Sequence, residues 1–556
     1  MKKTHLFLLS ASAGILLGLS FPPIGMELLA FVGFTPLLFL REEHPQGNFW
    51  YYYIAFFFYN GITNWWIGSW QPDADPYLMV AGILLIFIHP FFFTLPMMLY
   101  SYLRNKLPGS SGIWTFPFVW VVFEWWKTMG DLAYPWLTVG YTQAGRSYWV
   151  QFADISGVWG ISFFITIVNV LFLKYVFFMR KARIENELKH KQTSFGILFE
   201  KPLVYYIAAG LAILIIPNIY GYFRVKEYKH TELLAKSKTL KIGLIQPNIN
   251  PWTKWQSSAL DQMLHQFIMT DSLIQAEKNL DLVVWNETAI PYLSLSFNSF
   301  KEFTFFENRV QKLGVSLLTG FTEIYIYGKN ENPEVTAKEI GAGSGSFYQA
   351  FNSAILFNAE DSLGKTPQIY RKMKLTPFSE WLPYVDLLPF AKGLFEWKVG
   401  ISSWGKGNEL KNLKVKRNGE DFMIAPVICI ESVFPRHVSE FAAKGASLIV
   451  IITNDAWYDH TFGPEQHYLI ATMRAIENRR YIARCANSGI SGFITASGET
   501  IKRAPQYKTT SIAERVPIIK ETTFYSLFGD WLPFVCAIYI FALLLYVVFR
   551  KTKQSF

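Results

Sequence analysis

Long apolar runs separated by short polar breaks dominate the first 220 residues. A helix needs about 20 mostly apolar residues to cross a bilayer. On that measure the pattern predicts about eight spans, near 5–25, 27–41, 50–70, 78–103, 112–128, 157–179 and 202–220, and again near 530–549. The second run is short and "PPIGME" separates it from the first, so a hairpin that does not fully cross is an alternative there. After residue 220 the pattern changes. Short β-branched runs ("LKIGLIQPNI", "DLVVWNETA", "VSLLTGF", "SAILFN", "FMIAPVICIE", "ASLIVIITND", "GFITASGE") alternate with helical patterns at 258–278 and 464–480, and "GAGSGS" at 341–346 reads as a flexible loop between strands. The expected organisation is a transmembrane domain over 1–220 with about seven spans, a soluble α/β domain over 221–529, and a last helix with a short basic tail over 530–556. The middle segment is long enough to bury one large core.

Composition supports this division. Hydrophobic residues make up 51% and charged residues 17%, with 19 Trp, 29 Tyr and 49 Phe, a balance expected of a membrane protein rich in interfacial aromatics. The net charge of +10 fits topology better than nucleic-acid binding, since the chain has neither zinc-finger spacing nor a basic recognition helix. With eight spans and a cytoplasmic N-terminus, Lys2/Lys3, Arg104/Lys106, the run from Arg180 to Lys191 and Arg550/Lys551/Lys553 all fall on the cytoplasmic side, while the loop "QPDADP" opposite has no Lys or Arg. This obeys the positive-inside rule and places 221–529 outside the cytoplasm. "MKKTHLFLLSASAGILLGL" also has the form of a secretory signal, but the charge pattern favours an uncleaved anchor.

Three apolar runs each end in one chemically useful residue: "DLVVWNETAIP" delivers Glu287, "QIYRKMKLTPFSEWLP" Lys372 and "APVICIESVFP" Cys429. A thiol of ordinary pKa is only slightly ionised at neutral pH, so a nucleophilic cysteine needs a base or a positive field. A carboxylate supplies the first and an ammonium the second. Taken singly, each residue has a plainer reading: a turn cap for Glu287, a solvated charge beside Arg371 and Lys374 for Lys372, packed core for Cys429. Cys485 reads as a core strand residue and Cys536 as a buried position in the last apolar run; a Cys429–Cys485 disulfide stays open. His460 and His467 with Asp455 suggest a metal site, but no further ligand spacing supports one.

The motifs in order decide between these readings. "IGLIQPNINPWTKW", "WNETAIP", "YRKMKLTPFSEWLP", "ICIES" and "TNDAWYDHTFGPEQHYLIATMRAIENRRYIARCANSGISG" resemble the nitrilase (carbon–nitrogen hydrolase) superfamily, and behind "FPPIGMELLAFVGFTPLL" and "FEWWKTMGDLAYPWLTVGYTQ" the whole chain resembles its apolipoprotein N-acyltransferase branch. The resemblance implies an α-β-β-α sandwich with Glu287 as general base, Lys372 as stabilising cation and Cys429 as nucleophile, and no metal or other cofactor. It also implies supporting roles for Glu380, Glu431 and the loop aromatic Trp255, with Asn454 and Trp457 shaping the pocket wall. The chain departs from the family pattern at Asn286, Ser379 and Ile430, where proline, glycine and tyrosine are usual. The implied reaction moves an acyl chain from a membrane phospholipid, through a cysteine thioester, to the α-amine of the S-diacylglyceryl-cysteine of an apolipoprotein, at the outer face of the inner membrane. A tethered amidase acting on a small amide and a non-enzymatic lipid carrier are the alternatives. The aromatic stretch 380–397 suggests a lid dipping into the interface.

Overall fold

The apolar runs fold as helices, and the computed structural model describes residues 2–554 apart from 71–73, 75, 108, 110, 147, 189–200, 257, 294–300, 342, 362–366, 386 and 388–403. The membrane helices are α1 (Lys3–Ser20), α2 (Ala30–Gly33), α3 (Thr35–Glu43), α4 (Phe49–Asn64), α5 (Pro76–Lys106), α6 (Thr115–Trp126), α7 (Ala153–Leu188) and α8 (Lys201–Glu227). Among the described residues, five helices are long and apolar enough to cross a membrane; they are α1, α5, α7, α8 and the C-terminal helix Trp531–Gln554. The runs expected as spans at 27–41, 50–70 and 112–128 form shorter pieces: α3 has 9 residues, α4 has 16 and α6 has 12. The run at 27–41 is broken between α2 and α3 because the Asn169 side chain takes over its backbone there. Asn169 Oδ1 accepts from Phe34 N and Thr35 N at 2.8 and 3.1 Å, and its Nδ2 donates to Ala30 O at 2.8 Å. A helix break surrounded by apolar side chains needs such a partner. α8, which takes the place of the seventh expected span, also continues past the expected boundary at 220, to Glu227.

The soluble part contains the strands β1 (Thr239–Gln246), β2 (Leu282–Trp285), β3 (Ile290–Leu293), β4 (Ser316–Ile326), β5 (Lys338–Glu339), β6 (Phe347–Phe357), β7 (Gln368–Arg371), β8 (Leu413–Arg417), β9 (Glu420–Ile428), β10 (Leu448–Thr453), β11 (Ile482–Ala486), β12 (Gly492–Ile494), β13 (Thr500–Arg503) and β14 (Thr510–Pro517). They form two sheets. One has the order β14-β1-β2-β4-β6-β5, with β3 beside β4 and β7 beside β6; the other runs β13-β12-β11-β10-β9-β8. Their inner faces share one core, in which Leu244, Val284 and Leu318 meet Val427, Val450 and Ala483. The helix at Ala259–Ala276 covers the outer face of the first sheet through Met263 and Phe267, and the helix at Lys301–Lys312 through Phe306 and Val310. Helices at Pro435–Ala443 and Phe462–Asn478 cover the second sheet, giving the expected α-β-β-α sandwich. Both helical patterns expected at 258–278 and 464–480 are therefore helices.

The two parts are joined by a continuous core. Ile470, Met473 and Ile476 of the helix Phe462–Asn478, with Ile430, Val433 and Phe434, pack in one cluster with Trp120, Trp136 and Trp159 of the membrane bundle. Polar ties cross the same seam. Gln466 Oε1 accepts from Trp66 Nε1 at 3.1 Å and from Trp136 Nε1 at 2.8 Å, and the Arg479 guanidinium meets Asp154 at 2.7 Å.

Candidate active site

Glu287, Lys372 and Cys429 each follow the C-terminal end of a strand: β2, β7 and β9. Two of these turns use left-handed backbone at non-glycine residues, Thr288 at φ 47° and Cys429 at φ 51°. Such strain persists only where surrounding contacts fix it. Beside the first turn, Gly320 is required by close approach, because a Cβ there would lie 2.6 Å from Thr288 N and 2.7 Å from Glu287 Cα.

Lys372 Nζ lies 3.1 Å from Glu287 Oε1 and 2.8 Å from Glu380 Oε1, fully buried between the two carboxylates. Asn352 Nδ2 donates to the same two oxygens at 2.8 and 3.0 Å, and Thr376 N donates to Glu380 Oε2 at 2.9 Å. Burial alone would discharge the ammonium, but the two carboxylates, with the Cys429 sulfur, hold it well above the usual lysine range. The Cys429 thiol is pushed the other way. Burial and then the Glu287 carboxylate raise it well above the ordinary thiol range, against the pull of Lys372. The resting thiol is therefore protonated, and ionisation requires its proton to move to a nearby base.

Glu431 lies fully buried behind the nucleophile. Its Oε2 accepts from Ile428 N at 2.9 Å, while Oε1 accepts from Tyr370 Oη and Met373 N at 2.7 Å each and from Lys374 N at 3.2 Å. One carboxylate thus ties the Lys372 turn to the Cys429 turn. Burial opposes its charge, but His437 and these hydrogen bonds keep its carboxyl below the usual range.

The other expected residues sit around this centre. Trp255 carries the Lys254 ammonium 5.6 Å from its ring centroid, and Lys254 Nζ donates to Thr288 Oγ1 at 2.8 Å, which links that loop to the Glu287 turn. Burial pushes Lys254 down to about 7, against the Glu287 carboxylate. Asn454 accepts from Asn487 Nδ2 at 3.1 Å, and Trp457 stacks edge-on against Trp252 at 5.0 Å. Both are tied into the loops that follow the strands. At the family departures, Asn286 accepts from Gln266 Nε2 at 2.9 Å and donates to Glu287 O at 2.9 Å, and Ile430 joins the core shared with the membrane helices. Of the stretch 380–397, Trp381 Nε1 and Tyr384 N donate to Asp131 Oδ2 at 3.2 and 3.1 Å, and Leu387 is 75% exposed. Residues 386 and 388–397 of that stretch lie outside the described residues.

Cys429, Asp455 and His467 bring their ligand-type atoms within 4.8 Å of one another. The group does not suit a cation. Arg484 Nη2 sits 2.6 Å from Asp455 Oδ2, His467 Nδ1 lies 2.8 Å from Asp455 Oδ1, and His467 Nε2 lies 2.8 Å from Ser432 Oγ and 3.1 Å from Cys429 O. Every His467 nitrogen is engaged, and a guanidinium already neutralises the aspartate, whose carboxyl it holds down at about 2 despite burial. His460 stays apart, packed 4.1 Å from the Tyr507 ring. The disulfide alternative fails, since all three cysteines are free and Cys485 Sγ faces Ile245 O at 3.1 Å inside the sandwich.

Burial and then Arg484 hold His467 below the ordinary histidine range, against Asp455. The folded protein therefore binds fewer protons than the unfolded chain just below pH ~6.5, and stability falls as the pH drops through that window. Denaturant unfolding in detergent should show this slope, and His467→Gln should flatten it by up to ~1.4 kcal/mol per pH unit.

Comparison with known proteins decides the family. The model of the apolipoprotein N-acyltransferase N-terminal domain matches residues 13–171, and that of carbon-nitrogen hydrolase matches residues 241–518. The apolipoprotein N-acyltransferase of Chlorobaculum tepidum is 33% identical over 539 residues, covering 95% of this chain and 94% of that protein. The chain belongs to the apolipoprotein N-acyltransferase family. The family protein of Geobacter metallireducens is 26% identical over 537 residues, covering 95% and 93% of the two chains. The soluble part also aligns with Saccharomyces cerevisiae Nit3, of branch 10 of the nitrilase superfamily, over 50% of this chain and 90% of that one, at 17% identity and TM-score 0.36, too distant to add to the assignment.

Lys254, Asn352, Arg484 and the Asp455–His467 pair also make contacts around this centre, and the motifs pass over them or leave them as scaffold. Lys254 has a usable signal, a cation between the aromatics of "PWTKW"; Asn352, inside the apolar strand β6, has none.

Proposed function

We propose that this chain is an acyltransferase that moves an acyl chain from a membrane phospholipid, through a thioester on Cys429, to the α-amine of the S-diacylglyceryl-cysteine of an apolipoprotein. The observation that carries this reading is the pairing of Lys372 with Glu287 and Glu380 beside the Cys429 turn, whose residues Ile430, Val433 and Phe434 pack directly against the membrane bundle. Glu287 takes the thiol proton as sulfur attacks the sn-1 ester carbonyl. Lys372 stabilises the thiolate and then the tetrahedral oxyanion. Collapse expels the lysophospholipid alkoxide, which recovers the proton from Glu287 and leaves the thioester. In the second half, Glu287 deprotonates the incoming amine, and the thiolate leaves as the amide forms. Glu431 positions the Lys372 and Cys429 turns and stays out of the proton transfers. Trp255, Asn454 and Trp457 bound the acyl pocket.

The proposed placement is a multi-pass inner-membrane protein with both termini cytoplasmic and residues 221–529 on the periplasmic face. The Lys and Arg distribution supports it. Neither the amidase nor the carrier alternative has an observation in its favour, and a carrier would leave this buried charge cluster idle. Incubating the purified protein with phospholipid and reading its intact mass tests the proposal. The expected result is the added mass of one acyl chain, removed by neutral hydroxylamine. Turnover of small soluble amides with no acyl adduct would favour the amidase instead.

A further inference from the structure

The loop after α6 holds a cation that the chemistry above leaves unused. It runs from Lys127 to Tyr134 and is closed by Tyr134 N donating to Lys127 O at 3.0 Å. Lys127 is only 9% exposed, and its Nζ rests 4.3 Å from the centroid of the Phe93 ring and 6.0 Å from that of Tyr134. Among the described residues no hydrogen bond or ion pair reaches that ammonium. The acid facing it, Glu124, uses Oε1 to accept from Trp120 Nε1 at 2.8 Å and Val139 N at 2.7 Å, and its Oε2 is buried with no hydrogen-bond partner. The other titratable neighbour, His89, is turned to Asn60 Oδ1 at 2.9 Å. The Tyr134 hydroxyl is likewise buried without a partner. Ring faces compensate a desolvated ammonium only in part, and Glu124 acts on it only at a distance, with no hydrogen bond or ion pair between them, so an ammonium in these apolar surroundings calls for a closer anion.

The loop lies at the seam next to the nucleophile. The Tyr134 ring stacks on Trp136 at 6.2 Å, and Trp136 packs on His467 at 5.3 Å. Asp131, at the centre of the loop, holds Trp381 and Tyr384, which follow Glu380. Trp126, Met129 and Leu132 on its outer side are exposed, as a mouth opening to lipid would require.

We propose that Lys127 and Tyr134 form a subsite for the phosphodiester of the acyl donor, at the seam between the membrane bundle and Cys429. The subsite deepens the acyl-transfer reading and rests on it. One non-bridging phosphate oxygen takes the ammonium and another the tyrosine hydroxyl, which sets the glycerol ester toward the thiol. Lysine binds phosphate as a point charge, so arginine should substitute where a neutral side chain does not.

The test compares two donors that share the sn-1 ester, a phosphatidylglycerol and the matching diacylglycerol without phosphate, by the rate at which the full-length protein gains an acyl adduct in detergent. The unaltered protein should prefer the phospholipid by about tenfold or more, the worth of one charge-assisted hydrogen bond. Lys127→Met should bring the ratio of the two rates close to one, Tyr134→Phe should lower it less, and Lys127→Arg should keep it. Should Lys127→Met fail to fold, the Tyr134→Phe ratio still decides. An unaltered ratio in Lys127→Met, or in Tyr134→Phe where that variant alone folds, overturns the subsite, as does equal use of both donors by the unaltered protein. No adduct from either donor in the unaltered protein would remove the acyl-transfer reading itself, and the subsite with it.

Discussion

A Cys429→Ala protein should fold, enter the membrane and gain no acyl mass from any phospholipid, a loss beyond detection. Cys429 is half-buried at the end of β9, and the turn around it is held by its neighbours: Glu431 accepts from Ile428 N at 2.9 Å and Ser432 Oγ donates to Cys429 O at 2.8 Å. Removing one sulfur atom leaves those bonds in place, so the melting temperature should move little while the chemistry stops. Intact mass and thermal unfolding on the same sample check both halves. A residual adduct in this variant would mean that some other side chain carries the acyl group.

Lys372→Met should cost about a thousandfold or more in the single-turnover rate of adduct formation, in keeping with loss of a preorganised charge from a buried oxyanion site. It should also destabilise the fold by ~3–5 kcal/mol, because it leaves two buried carboxylates without their cation. Glu287 and Glu380 both keep a hydrogen bond from Asn352, at 2.8 and 3.0 Å, but among the described residues no other ion pair reaches either carboxylate. Lys372→Gln should lose stability in the same way. Adding Glu380→Gln to Lys372→Met should recover stability without recovering rate. Stability and rate returning together would place Lys372 in the scaffold rather than the chemistry.

Much of this centre is legible in the amino-acid sequence. Glu287, Lys372 and Cys429 each follow a run that becomes a strand, and the C-terminal ends of β2, β7 and β9 bring the three into one centre. What the pattern does not supply are contacts made across long stretches of chain. Asn352 reads as one polar interruption of an apolar strand, yet it bridges two carboxylates. The break between α2 and α3 depends on Asn169, which lies 135 residues beyond Phe34. Arg484 sits in an ordinary strand sequence and becomes meaningful only where β11 lies beside β10, bringing it to Asp455. His467 reads as half of a metal pair with His460, but its helix turns it onto Asp455 and the Cys429 carbonyl instead. Short helices such as α4 and α6 read as full spans because apolar length is visible in sequence and a helix end is not.

The central claim is that one cysteine carries the acyl group between two lipids. The direct measurement is to isolate the acylated protein, add a peptide with an N-terminal S-diacylglyceryl-cysteine, and follow both intact masses. The account predicts that the acyl mass leaves Cys429 and appears on the peptide as a hydroxylamine-resistant amide, and that an N-acetylated peptide takes none. Release as free fatty acid at the same rate with and without the peptide would contradict it.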